Sequence, residues 1–327
     1  MNLPEILKEN IRLPVIGAPM FIASTPELVI EQCKAGIIGA FPALNARPQH
    51  MLDEWIAQIK EALAEHDAQH PERPAAPFAV NQISHPSNDR LQGDMEIIAR
   101  HQVPLIIASL QVSRENIDAV HSYGGLVFSD VVSNRHARKS VEAGVDGLVA
   151  VAAGAGGHTG NVSPFALISE IREWWDGPLA LSGAIANGQS ILAALATGAD
   201  FAYIGSPFLA TPEANTVEDY KQLIVEGSSK DIITTDAFSG VPANYLVGSI
   251  TRCGLDPKNL VRKTNGPIDV SESGDSYKTW RDFWGCGQGI QAVKNISSTK
   301  ELVERWSREY HTAKKKFSTR LKALSSA

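Results

Sequence analysis

Short apolar runs recur along the chain, each followed by a longer stretch with helical spacing of its apolar residues. Eight of them stand out: Leu13–Ala18, Ile37–Phe41, Phe78–Val80, Leu105–Ala108, Leu126–Ser129, Gly147–Val151, Leu179–Leu181 and Phe201–Ile204. An apolar run without polar alternation suits a strand buried on both faces, as in a parallel sheet covered by helices. The intervening stretches predict helices opening at Pro26 and covering about Gln49–Ala68, Asp89–His101, Arg114–Tyr123, Asn134–Ala143, Pro164–Trp174 and Gln189–Thr197. Punctuation supports these limits. Thr25 precedes Pro26 as a candidate N-cap, and the prolines of residues 70–77 stop the second helix. Gly144 follows the fifth helix where a left-handed cap fits. The joints 143–149 and 197–203 nearly repeat one another.

Eight strand–helix alternations predict an α/β fold, a (β/α)8 TIM barrel. A doubly wound open sheet is the alternative, but it places its glycine-rich phosphate loop after the first strand. Here the glycines fall after strands six, seven and eight. The alternation lapses after Ala210. Residues 1–212 are therefore read as the barrel and 213–284 as an insertion after strand eight, a lid or small substrate subdomain over the mouth. Residues 285–327 return to the barrel and end in a helix of about Thr299–Leu324. The insertion is read as helical at Val217–Val225 and turn-rich at 238–244 and 271–275. Trp280, Phe283 and Trp284 close it, as packing anchors more than as ligand contacts.

Composition narrows the class. The chain has 327 residues, 43% hydrophobic and 20% charged, enough to bury a sizeable core. Its formal net charge is −6, and Lys314, Lys315 and Lys316 read as a solvated helix face, so no nucleic-acid partner is expected. No apolar run is long enough to span a bilayer, and the N-terminus lacks a signal core. Cys33, Cys253 and Cys286 are too scattered for a metal cluster, so no metal is expected and reduced thiols in a cytoplasmic protein are. A homodimer is allowed for.

Candidate chemistry clusters at the predicted strand ends. The stretch 145–160 runs from a buried strand into Gly156, Gly157 and His158. Glycines there let the backbone turn and leave room for a flat ligand, and His158 can carry a proton near neutral pH. A glycine-rich surface loop is the plainer alternative. Ser182-Gly183-Ala184 and Gly205-Ser206 follow strands seven and eight, where barrels often bind phosphate through backbone N–H groups. Tight turns alone would also use these glycines. Asn81, at the end of strand three, and Gln288 can each read a heterocyclic edge or tie a loop. Asp130, just after strand five, is read as a loop cap, and His85 and His136 are held in reserve. Nucleophile-elbow and zinc-helix patterns are absent.

In order along the chain, GlyAlaProMet (17–20), Asn81, AlaGlyAlaGlyGlyHisThrGly (153–160), LeuSerGlyAlaIleAlaAsnGly (181–188), IleGlySerProPheLeuAlaThr (204–211) and GlyGlnGly (287–289) resemble the nitronate monooxygenase family. The resemblance implies non-covalent FMN in the barrel mouth. Met20, Asn81 and Gln288 would contact its ring, and Gly183, Ala184, Gly205 and Ser206 its phosphate. Ala18, Gly157, Ser182 and Gly289 complete the implied cofactor set, with His158 as catalytic base. The implied reaction oxidises an alkyl nitronate, or a nitroalkane, with O2 to a carbonyl compound and nitrite. An NAD(P)H-dependent FMN reductase of a quinone or enoyl thioester is the alternative, and a non-catalytic flavin sensor a third. The chain departs from the family pattern at Gly154, where a glutamate is common, and at Ala184, Ser206 and Pro207.

Overall fold

The structure, a computed structural model, describes residues 3–85, 87–261 and 279–325. Every predicted strand forms. In chain order they are β1 (Val15–Gly17), β2 (Gly39–Pro42), β3 (Phe78–Ile83), β4 (Leu105–Ser109), β5 (Leu126–Val131) and β6 (Gly147–Val151). A two-residue strand outside the barrel, β7 (Gly157–His158), comes next, then β8 (Leu179–Ser182) and β9 (Phe201–Ile204). The barrel order is β1-β9-β8-β6-β5-β4-β3-β2, all parallel, and an Ile16–Ile38 bridge brings β1 back toward β2. The result is a nearly closed TIM barrel.

Helices α1 (Pro26–Lys34), α2 (Met51–Gln69), α3 (Leu91–Arg100), α4 (Arg114–His121), α5 (Asn134–Ala143), α6 (Pro164–Arg172) and α7 (Gly188–Ala196) connect these strands. Their ends follow the expected chemistry with one variation. Thr25 occupies the N-cap of α1, but its hydroxyl makes no cap bond. Gly144 closes α5 at φ 103°, a conformation open to glycine at little cost.

Strand parity decides what faces the mouth. Ala79, Ile107, Phe128, Val149, Ala180 and Tyr203 pack together inside the barrel. The alternate residues, among them Val80, Ile106, Val127 and Leu148, join the cluster beneath the helices. Side chains on a strand alternate, so two steps beyond the interior set lie Asn81, Ser109, Asp130, Val151 and Ser182. These form the top inward layer at the strands' C-terminal ends.

Two expectations need correction here. β3 continues through Asn81 and Gln82 to Ile83, and β5 continues through Asp130 to Val131. Both strands outlast their apolar runs because ladder pairing, Asn81 to Ile107 and Asp130 to Val149, does not require an apolar side chain. Asp130 is therefore a strand residue, not a loop cap.

After β9 the chain forms α8 (Ser206–Leu209), α9 (Glu218–Glu226), β10 (Ile232–Thr235), β11 (Ala243–Leu246) and α10 (Val247–Arg252). Here α9 is the helix expected at Val217–Val225. The turn expected at 271–275 lies outside the described residues. β10, β11 and β7 make a three-stranded antiparallel sheet, so the segment after β9 pairs directly with the His158 strand. The final helix, α11 (Thr299–Ser325), anchors through fully buried Trp306, whose Nε1 donates to Ala186 O at 3.0 Å. Among the described residues, no helix is long and apolar enough to cross a membrane.

Candidate active site

At the ends of β6, β8 and β9 three loops close on one another around a small pocket. Gly154 O accepts from Ala184 N at 3.2 Å and from Gln288 N at 3.0 Å, and Ser206 Oγ accepts from Gly287 N at 2.8 Å. Ser182, Gly183, Gly205, Ser206, Gly287 and Gly289 lie in its wall. The glycines are needed for close approach. A Cβ on Gly156 would come within 2.8 Å of Gly287 N, and one on Gly289 within 2.7 Å of Ala184 O. Gly183 (φ 143°) and Ala184 (φ 56°) turn the chain sharply after β8. Such a cradle, walled by main chain and small side chains, fits a phosphate group. Ser206 Oγ accepts from Gly287 N, and its hydroxyl also lies against the Cys286 thiol.

Ala18 and Met20 sit beside this cradle. A Cβ on Gly205 would lie 3.3 Å from both Ala18 Cβ and Met20 Sδ. The Met20 loop is pinned by Asn45, whose Nδ2 donates to Met20 O at 3.0 Å. Gln288 turns its side chain toward Gly154: a Cβ there would stand 3.1 Å from Gln288 Oε1 and 3.3 Å from Ala184 Cβ. With φ at 88°, position 154 strains any L side chain. Gly154 is thus built into this loop packing.

Across the mouth, Asn81 is 6% exposed and donates both amide hydrogens to β4, to Ile107 O at 2.9 Å and to Ser109 Oγ at 2.7 Å. It is a tie between strands whose carbonyl oxygen alone stays uncommitted. Ser109 passes its own hydroxyl to Asp130 Oδ2 at 2.5 Å. Burial pushes the Asp130 carboxyl up to about 6 against that hydrogen bond. Tyr203, on the facing β9, is held far above its ordinary range by burial and then by Asp130.

His158 stands on β7 opposite Ala243 of β11. Its Nε2 lies 3.1 Å from Ser239 Oγ, and Trp280 presents an edge at 5.2 Å between ring centres. Ser239 Oγ already donates to Val241 O at 2.9 Å. With that hydrogen on Val241 O, Ser239 Oγ accepts from His158 Nε2–H, the tautomer in which Nδ1 is the lone-pair nitrogen. Burial lowers the His158 pKa, keeping the ring neutral at neutral pH. Trp280 stacks on Tyr245 at 5.3 Å, and Asn244 Nδ2 donates to Ala155 O at 2.7 Å, tying β11 to the loop before His158.

The structure gathers the cradle residues and Gln288 in one place, with Gly157 in the His158 strand and Asn81 across the mouth. The reserve histidines are not part of it: His85 bonds to Ser87, and His136 to Ser133 at the start of α5. Sequence reasoning missed Ser109, Ser239 and Asn244 and misassigned Asp130. Ser239 and Asn244 are more than 80 residues from their partners at 158 and 155. No local pattern could have found them. Cys286 lies in the cradle loop, where burial pushes its thiol to about 12 and keeps it protonated.

Residues 4–309 match the family model described as nitronate monooxygenase. A Mycobacterium tuberculosis protein described as a monooxygenase is 33% identical over 154 residues, 46% of this chain and 41% of that one. A nitronate monooxygenase of Paraburkholderia phytofirmans is 28% identical over 297 residues, 75% of this chain and 76% of that one. Among solved structures, nitroalkane oxidase from Streptomyces ansochromogenes superposes with a TM-score of 0.77 at 21% identity, over 95% of this chain and 99% of that one. FabK from Thermotoga maritima gives 0.76 at 23% identity, over 96% and 97%. At these identities the structural likenesses speak for the fold.

Proposed function

The chain belongs to the nitronate monooxygenase family, an oxidoreductase family, and we propose that it is an FMN-dependent enzyme converting an alkyl nitronate and O2 to a carbonyl compound and nitrite. The observation that carries this reading is one mouth with a phosphate-sized cradle on one side and a neutral histidine above it. β3 and β4 lie four places around the eight-stranded ring from β8 and β9. A ligand with its phosphate in the cradle would thus direct a polar ring toward Asn81 and Ser109, with Asp130 bonded to Ser109 on the next strand. The single small cradle favours FMN over a dinucleotide.

In this reading Gly183, Ala184, Gly205 and Ser206 bind the phosphate, and Ala18, Met20 and Gln288 flank the ring. The flavin supplies the electron acceptor that no side chain offers. His158 Nδ1 takes the proton from the α-carbon of a neutral nitroalkane while Nε2–H stays on Ser239. With an already ionised nitronate, the same ring orients the substrate. Trp280 and the β10–β11 segment limit water around that nitrogen.

Two measurements test the proposal. The purified protein should release FMN on denaturation; a flavin-free protein that binds no added FMN would sink the reading. Under anaerobic stopped flow, a nitronate should bleach the bound flavin faster than NADH or NADPH. Fast bleaching by a nicotinamide, with none by several nitronates, would instead assign a reductase.

A further inference from the structure

Asp130 is held differently on its two oxygens. Oδ2 takes the Ser109 hydroxyl, whereas Oδ1 is buried with no hydrogen-bond partner. The side chain belongs to the top inward layer of the barrel, on β5 beside the β6 end of the phosphate cradle, and is incompletely covered. Its surroundings offer little to an ionised carboxylate. β6 sets Val149 opposite it, Asn81 of β3 spends its amide hydrogens elsewhere, and Tyr203 of β9 brings a hydroxyl that stays protonated. A carboxylate with one unpaired buried oxygen keeps its charge through whatever water still reaches it.

We propose that Asp130 takes up a proton when the mouth fills with its flavin, so that the occupied wall is neutral and admits an anionic substrate beside it. This rests on the FMN reading above. A ring laid over this wall removes the remaining water and raises the carboxyl's proton affinity. An ionised Asp130 would repel a nitronate in a site with little screening. A neutral one does not. The raised pKa of the open site, about 6, has the same origin and means that part of the change is already made.

The test is calorimetric binding of FMN to the flavin-free protein and to Asp130→Asn. Titrations near about pH 6.5 in buffers of different ionisation enthalpy give the protons exchanged. Riboflavin is run in parallel, because it fills the ring site without a phosphate that titrates. The unaltered protein should take up more protons than Asp130→Asn with both ligands. Its FMN affinity relative to the variant should fall with rising pH, by up to roughly tenfold per unit. Equal proton counts, or proton release, would overturn the proposal. Failure of the folded protein to bind either flavin would remove the FMN reading itself, a different and recognisable result. Should Asp130→Asn not fold, the carboxyl carbon of Asp130 can be titrated by NMR in the unaltered protein. FMN must raise its pKa; an unchanged or lowered value overturns the proposal.

Discussion

Ser206 and Gly287, 81 positions apart, are joined by one hydrogen bond, Gly287 N to Ser206 Oγ at 2.8 Å. It makes the late glycine loop part of the wall that begins at β9. Ser206→Ala should leave that N–H unpaired, at a cost of about 1–3 kcal/mol shared between loop stability and FMN affinity. Ser206→Asp should be worse, because a carboxylate would face the phosphate at short range. Flavin fluorescence titration, with thermal melts as a folding control, reads both. Equal affinities in all three proteins would move the phosphate elsewhere.

The neutral His158 ring gives a pH signature. Its pKa is lowered by burial, so turnover of neutral nitroalkanes should stay level below the ordinary histidine range and fall only at lower pH. The stability linkage has the same origin: the unfolded chain binds this proton first, so stability is lost as pH falls through the ordinary histidine value. His158→Asn should cut nitroalkane turnover about 10²–10⁴-fold, and turnover of preformed nitronate by less. Ser239→Ala removes the acceptor that selects the tautomer. A three- to tenfold loss is expected, roughly the worth of one ordinary hydrogen bond. An undiminished nitroalkane rate in His158→Asn would take this residue out of proton transfer.

Position 154, where the chain departs from the pattern its family resemblance implies, tests the loop packing directly. Gly154→Glu has to place a side chain at φ 88° against Ala184 Cβ and Gln288 Oε1. The backbone alone costs roughly 1–2 kcal/mol. A lowered melting temperature with weakened FMN retention is expected, and Gly154→Ala should show most of the stability loss. A variant as stable as the parent would mean that the loop relaxes freely.

The barrel was legible because its strands are buried on both faces and read as plain apolar runs, from Val15 to Ile204. The cradle was legible for a related reason: Gly183 and Gly205 punctuate those runs where the backbone must turn. What escaped notice lies where the apolar signal ends before the strand does. Asn81 and Asp130 are polar, so both looked like loop residues although their ladders continue. Ser239 and Asn244 escaped for another reason, since their partners are fixed by folding over more than 80 residues. His158 sits between the two cases. Its neighbourhood was readable from Gly156 and Gly157, but its strand partner Ala243 was not.

The pairing of β7 with β11 makes His158, the proposed base, and the segment after β9 one piece of sheet. A segment hung on the barrel by two hinges could be exchanged for a relative's without disturbing the chemistry beneath. This one cannot, because grafting a foreign sequence over 232–246 would replace the backbone that sets the height and tilt of His158. Any change of substrate range achieved through this segment must therefore carry compensating changes at 157–159. Pocket shape and proton transfer would then diverge together among relatives built this way.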